Sequence, residues 1–380
     1  MKATINKTKI FIVGGFPNSN KKMYGGQVTA CGALLESSFS DLYSVSTLDS
    51  SQISVPPPHS LIRLLLAIKR LIVFNIRMIF YRPDVSIIFL GEGTSALEKG
   101  VMVCFARLFQ VPVMVFPRAG AIINQYLSKK WFAAFIRYTI GRSSTFLCQG
   151  SSFQKFAIKE LGFKASTAPI IPNWTATEEH LLIGASRKYQ KADHDPKILY
   201  LGHMEDFKGI MDLLDAILIL RDKKIKFHMI FSGKGRALAR AHRFVELHRL
   251  KKYVTFTGWV DQKAKAVLLD TCEIFVLPSW SEGLPNSMIE AMSAGLACVL
   301  TRVGMIEDYV VNGRDALVVS PRNPSELSGA IKTLLLDQPA RERISKNGST
   351  LACSNFTLEN GINLISAEVQ KIKKNNDFQK

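Results

Sequence analysis

The chain has 380 residues, of which 47% are hydrophobic and 21% charged, enough apolar matter for two cores and too much for a disordered protein. Its six cysteines form no C-x-x-C pair and no zinc spacing, which fits a reducing cytoplasm. The formal charge of +18 asks for a polyanionic neighbour: nucleic acid, anionic lipid or a phosphorylated substrate.

The N-terminal KIFIVGG (9–15) has too short an apolar run for a signal peptide and predicts a strand entering a glycine loop. A helix over GGQVTACGALLES (25–37) completes a βα unit. The segment 61–80 has a helical period, and RPDVSIIFLGEG (82–93) reads as a turn, a buried strand and a glycine exit. VPVMVFPRAG (111–120) and TFLCQGS (145–151) repeat that pattern, which APIIPNW (168–174) and the polar TATEEH then interrupt.

The alternation restarts with a strand and glycine in KILYLGHM (197–204), a helix over 211–223, and a strand ending in two glycines in KFHMIFSGKG (226–235). A helix over 236–250, a strand in YVTFTGWV (253–260), a helix over 264–272 and a strand in EIFVLPSW (273–280) continue it. ALVVS (316–320) and a helix over 324–337 follow, and the C-terminal KIKKNNDFQK reads as a disordered tail.

Short apolar strands alternating with helices predict an α/β protein with parallel sheets covered on both faces, here as two Rossmann-like domains facing a cleft. The expected divisions are residues 1–172, 173–355 and 356–380. Ligands gather at the carboxyl ends of such strands, so the glycine exits at 14, 91, 202, 233 and 283 are expected at that cleft.

One stretch carries most of the chemistry: PSWSEGLPNSMIEAMSAGLACVL, Pro278 to Leu300. Pro285 suits a first helical turn and Asn286 a cap, which predicts a helix from Asn286 to Ala294 that stops at Gly295. A helix N-terminus presents N–H groups and a partial positive charge to a phosphate, and Gly283 lets backbone approach closely. Glu282 and Glu290 would be repelled by phosphate but suit sugar hydroxyls on either side of it. A sugar nucleotide, with a hexose, a diphosphate and a ribose in line, offers that layout.

PSWSEGLPNSMIEAMSAG resembles the signature of the retaining glycosyltransferases of family 4, which have the GT-B fold, with Glu282 and Glu290 on its E-x7-E pair. LYLGHMEDFKGIMDLLDA, FSGKG and FTGWV resemble the nucleotide domain of that family, IIPNW its linker, and RPDV a turn of its first domain. The resemblance implies transfer of a hexose from a nucleotide-diphosphate sugar to a saccharide acceptor with the anomeric configuration kept and no metal or other cofactor, and a C-terminal helix within 356–380 that returns to the first domain. It also implies that Lys208 stabilises the leaving diphosphate, that Glu282 holds the transferred sugar and Glu290 the ribose, and that the first domain holds the acceptor. His203 stands where the family usually has arginine, with Arg236 or Arg302 as compensating cations, and Arg118 stands where many relatives carry a histidine that touches the donor sugar. Gly14, Gly15 and Gly26 in the first domain, and Gly233, Leu284, Pro285 and Asn286 in the second, complete the expected donor contacts.

Arg63, Arg70 and Arg77 lie seven apart on one face of the 61–80 helix, with Lys69 beside them, and 128–142 places Trp131, Phe132 and Phe135 among cations. Both segments are expected to meet an anionic membrane surface, which would place the protein peripherally on the inner face of the plasma membrane and favour a lipid-linked acceptor in O-antigen, capsule or exopolysaccharide synthesis. Four cations in the helix argue against a membrane span. With no recognition motif, nucleic acid is not expected as a partner. The alternatives are a catalytically weak GT-B protein that binds a sugar nucleotide as an assembly partner, and a GT-B sugar-nucleotide epimerase.

Overall fold

The computed structural model describes residues 7–17, 26–51, 58–118, 120–187 and 195–377. Two compact units divide the chain: Met1–Asn173 with Leu358–Lys380, and Trp174–Thr357.

The first unit is a five-stranded parallel sheet of β1 (Lys9–Gly14), β2 (Ser44–Asp49), β3 (Val85–Leu90), β4 (Val113–Pro117) and β5 (Thr145–Phe146), in the order β2-β1-β3-β4-β5. Its helices are α1 (Gly26–Leu35), α2 (Phe39–Leu42), α3 (Ser60–Phe80), α4 (Thr94–Leu108), α5 (Ala121–Ser128), α6 (Lys130–Thr139) and α7 (Ser151–Leu161). β1 and β3 are almost wholly buried apolar runs, as central parallel strands covered by helices must be. The edge strand β2 is SVSTLD, whose half-exposed polar residues hide it from a search for apolar runs.

The second unit contains α8 (Glu178–Ser186), β6 (Lys197–Leu201), α9 (Ile210–Asp222), β7 (His228–Ser232), α10 (Leu238–Leu247), β8 (Val254–Gly258), α11 (Gln262–Thr271) and β9 (Ile274–Leu277). It continues with α12 (Asn286–Ser293), β10 (Ala297–Thr301), α13 (Ile306–Tyr309), β11 (Leu317–Val319), α14 (Pro324–Leu336) and α15 (Gln338–Asn355). Its six parallel strands run β11-β10-β9-β6-β7-β8, so the winding reverses between β6 and β9, where a ligand crevice forms in such sheets.

The tail expected to be disordered is helical as far as Asp377, in α16 (Leu358–Asp377) of the first unit; residues 378–380 lie outside the described ones. Ile372 is buried there and Lys373 Nζ donates to Thr8 Oγ1 at 3.0 Å, contacts that order a segment whose composition alone reads as solvated.

The basic face expected on the outside of α3 is exposed only in part. Arg63 donates to Thr94 Oγ1 at 2.7 Å, and Arg70 grips both carboxylate oxygens of Glu98 at 2.6 and 2.8 Å, so this seam faces α4. Arg63, Lys69 and Arg77 remain exposed, and so are Leu61, Leu65, Ile68, Ile72 and Ile76, an apolar stripe at helical spacing. No described helix is long and apolar enough to cross a membrane.

Candidate active site

In the second unit, the residues singled out after β6 and after β9 converge at the reversal point. β6 exits through Gly202 and His203 into the turn Asp206–Lys208, which closes on Gly209 at φ +69°. A Cβ on Gly209 would lie 2.0 Å from the Pro278 carbonyl oxygen, so glycine is required twice over, by backbone conformation and by the close approach of the β9 exit. Trp280 N–H donates to the Phe207 carbonyl at 2.7 Å and knits the two exits together.

That junction places Lys208 Nζ 2.6 Å from Glu282 Oε1, and Ser279 Oγ donates to the same oxygen at 2.6 Å. The side chains of Lys208 and Glu282 are mostly buried, so water screens the pair weakly. The turn behind Glu282 is fixed by Met305 N–H, which donates to the Gly283 carbonyl at 3.1 Å.

α12 begins at Asn286 as expected, but its cap lies one residue before the expected one. Pro285, at φ −71° and ψ 123°, is the capping position and Asn286 the first helical residue, because the proline's extended ψ cannot lie inside the helix. As at any α-helix start, the N–H groups of the first turn, those of Ser287 and Met288 among them, are not used by the helix's own ladder. One turn on, Glu290 is buried and Lys265 of α11 donates to its Oε1 at 2.8 Å. The imidazole of buried His180 is held below its ordinary value of 6.5, by burial first and by the Lys265 charge, while Glu290 opposes the shift.

His203 packs against Trp259 with ring centres 5.2 Å apart and planes tilted by 40°. Partial burial, then the neighbouring Lys208 ammonium, hold it below its ordinary 6.5, so it is a neutral ring at neutral pH rather than a clamp cation. Of the compensating arginines, Arg302 pairs with Glu307 at 3.3 Å, while Arg236 is exposed with its N–H toward Glu205. Gly233 follows β7, and a Cβ there would fall 1.8 Å from the Gly202 carbonyl oxygen, which packs the two strand exits backbone to backbone.

In the first unit, Gly14 ends β1 and Gly15 follows it, both buried, and a Cβ on Gly14 would meet Cys31 Sγ at 2.8 Å. Gly26 opens α1; the loop residues 18–25 lie outside the described ones, as does Ala119 beside Arg118. Arg118 follows β4 with its guanidinium 5.1 Å from the centre of Phe116 and 6.0 Å from that of Phe89. Burial lowers it to about 10, opposed by the Cys31 thiol, so it stays charged at neutral pH.

The partners Lys265, Ser279, His180 and Trp259 were not singled out from sequence. Lys265 is 25 residues from Glu290 and on another helix, and no local signal ties the two together.

The profile of the family "Glycosyl transferases group 1" matches residues 185–350. An N,N'-diacetylbacillosaminyl-diphospho-undecaprenol alpha-1,3-N-acetylgalactosaminyltransferase of Campylobacter jejuni is 38% identical over 157 residues, 41% of this chain and 40% of that one. The chain spans 39% to 53% of the length of the curated relatives it matches. Among solved structures, sucrose-phosphate synthase from Thermosynechococcus elongatus superposes with a TM-score of 0.75 at 17% identity, over 96% of this chain and 99% of that one. Anabaena Alr3699/HepE, in complex with UDP and glucose, gives 0.69 at 15%, over 96% and 100%. Residues 185–350 are thus similar to the group 1 glycosyl transferases, and the fold of the chain is GT-B.

Proposed function

We propose that the protein is a retaining family 4 glycosyltransferase that moves a hexose from a nucleotide-diphosphate sugar to a lipid-linked saccharide, at the inner face of the plasma membrane, in the building of a bacterial surface polysaccharide. The observation that carries this reading is the pair of lysine–glutamate contacts flanking the N-terminus of α12, Lys208–Glu282 and Lys265–Glu290, at the reversal point of the second sheet.

Each residue then has a task. As the bond to the sugar breaks, negative charge grows on the leaving diphosphate, where the Lys208 ammonium and the first-turn N–H groups of α12 stabilise it. These donors stand in for a cation, which makes the reaction metal-independent. Glu282 accepts from hydroxyls of the transferred hexose while Lys208 and Ser279 fix its orientation. Glu290, oriented by Lys265, accepts from the ribose hydroxyls. His203 and Trp259 offer ring surface beside the diphosphate.

Two relatives support the substrate classes: HepE was crystallised with UDP and glucose, and the Campylobacter enzyme's name carries a diphospho-undecaprenol acceptor. The exposed apolar stripe of α3, with Lys69 and Arg77 beside it, supports the membrane surface. The test is a panel of UDP-, GDP- and TDP-sugars with a lipid-diphosphate saccharide, in buffer containing EDTA. Transfer with retained configuration that disappears in Lys208→Ala and Glu290→Ala is expected; donor binding without transfer to any acceptor would sink the reading.

A further inference from the structure

The first unit holds a cavity of about 900 Å³ beside the exits of β2 and β3. α3, α4 and α6 wall it with Leu64, Leu71, Leu97, Val101, Trp131 and Phe135. Three cations, Arg63, Arg70 and Lys99, share the lining with two acids, Glu92 and Glu98.

The charges do not cancel evenly. Arg70 takes both oxygens of Glu98, and Glu92 is exposed. Lys99 is only 1% exposed, and among the described residues its closest carboxylate contact is Glu98 at 3.9 Å, too long for a hydrogen bond. Burial is the main cause that lowers its ammonium to about 8, which still leaves it charged at neutral pH. A buried, weakly compensated cation in an apolar cavity is costly unless an anion joins it.

The walls are too apolar for a bare sugar phosphate. Trp131, 61% exposed, stands at the rim as an aromatic side chain does where an apolar phase meets water. The helix that supplies Leu64 and Leu71 to the cavity also carries the exposed stripe Leu61, Leu65, Ile68 and Ile72, so apolar surface continues from inside the cavity to the outside of the unit.

We propose that this cavity binds a lipid carrying a phosphate headgroup, with the phosphate against Lys99 and Arg63 and the chain along Leu64, Leu71, Trp131 and Phe135. The proposal deepens the reading of the first unit as the acceptor's, and rests on it. An isoprenoid phosphate and a bulk phospholipid share this chemistry.

Isothermal titration of the full chain, without donor, separates the sources and the parts. The probes are farnesyl phosphate, dihexanoylphosphatidylglycerol, farnesol and inorganic phosphate. At least one lipid phosphate is expected to bind ten-fold or more tighter than farnesol and than inorganic phosphate, and the tighter of the two lipids names the source. Lys99→Met and, separately, Arg63→Gln are expected to weaken that binding ten-fold or more while leaving UDP affinity unchanged, which reports an intact second unit. Equal binding of farnesol or inorganic phosphate, no lipid binding, or full lipid affinity in both variants would overturn the proposal. If UDP-sugars bind and sugar transfer is lost in Glu290→Ala while no lipid phosphate binds, the cavity proposal fails and the transferase reading stands.

Discussion

Lys208 and Glu282, 74 residues apart in the chain, meet with Nζ and Oε1 at 2.6 Å, so the acid that would hold a sugar is already held by the cation that would hold a phosphate. The pair aligns both groups before any ligand arrives. A donor would take up the remaining lone pairs of Glu282 and the remaining protons of Lys208 without having to order either side chain.

Replacing Lys208 with alanine removes a charge that acts as the diphosphate leaves. A fall in kcat of about 10² to 10³, larger than any change in KM for the donor, is expected from steady-state kinetics. A rise in KM alone, with kcat kept, would place Lys208 in ground-state binding only.

The Lys265–Glu290 pair is nearly buried, with side chains 13% and 9% exposed. Lys265→Met leaves the carboxylate without its 2.8 Å donor and is expected to cost on the order of 2–3 kcal/mol in urea unfolding. The double variant with Glu290→Gln is expected to recover most of that stability, because the uncompensated charge is gone, yet to bind UDP as weakly as Glu290→Gln alone. Additive stability losses would show that the pair is not coupled.

Gly209→Ala tests the turn that carries Lys208. The backbone at φ +69° costs an alanine about 1–2 kcal/mol, and the 2.0 Å approach to the Pro278 oxygen forces the β6 and β9 exits apart as well. Lower thermal stability with an even larger loss of transfer is expected. An alanine variant with wild-type melting and activity would contradict the close approach.

Lys99 gives a pH dependence of known sign. The folded chain releases its proton near 8, whereas an unfolded lysine keeps it to about 10.5. The unfolded state therefore binds more protons across that window, and this group makes stability rise with pH from about 8 to about 10.5. In Lys99→Met that rise is expected to vanish and stability at pH 7.5 to increase, as read by urea unfolding at a series of pH values.

The sequence alone determined the two runs of strands and helices, the glycine exits and the stretch from Ser281 to Glu290, because each of these is written in neighbouring residues: apolar runs, turn glycines, a proline and a cap. It did not disclose β2, whose polar edge residues carry no apolar run, or the outward apolar stripe of α3. The heptad spacing of Arg63, Arg70 and Arg77 fixed a common face but not its direction, and the grip of Arg70 on Glu98 decided that direction. The partners of the two signature glutamates were decided in the same way. Lys265 and Lys208 reach them only after α11 and α12 have both packed on α8 and the exits of β6 and β9 lie side by side. Local pattern follows backbone period and propensity, whereas charge pairing over such separations depends on where the sheet order places the ends of its strands.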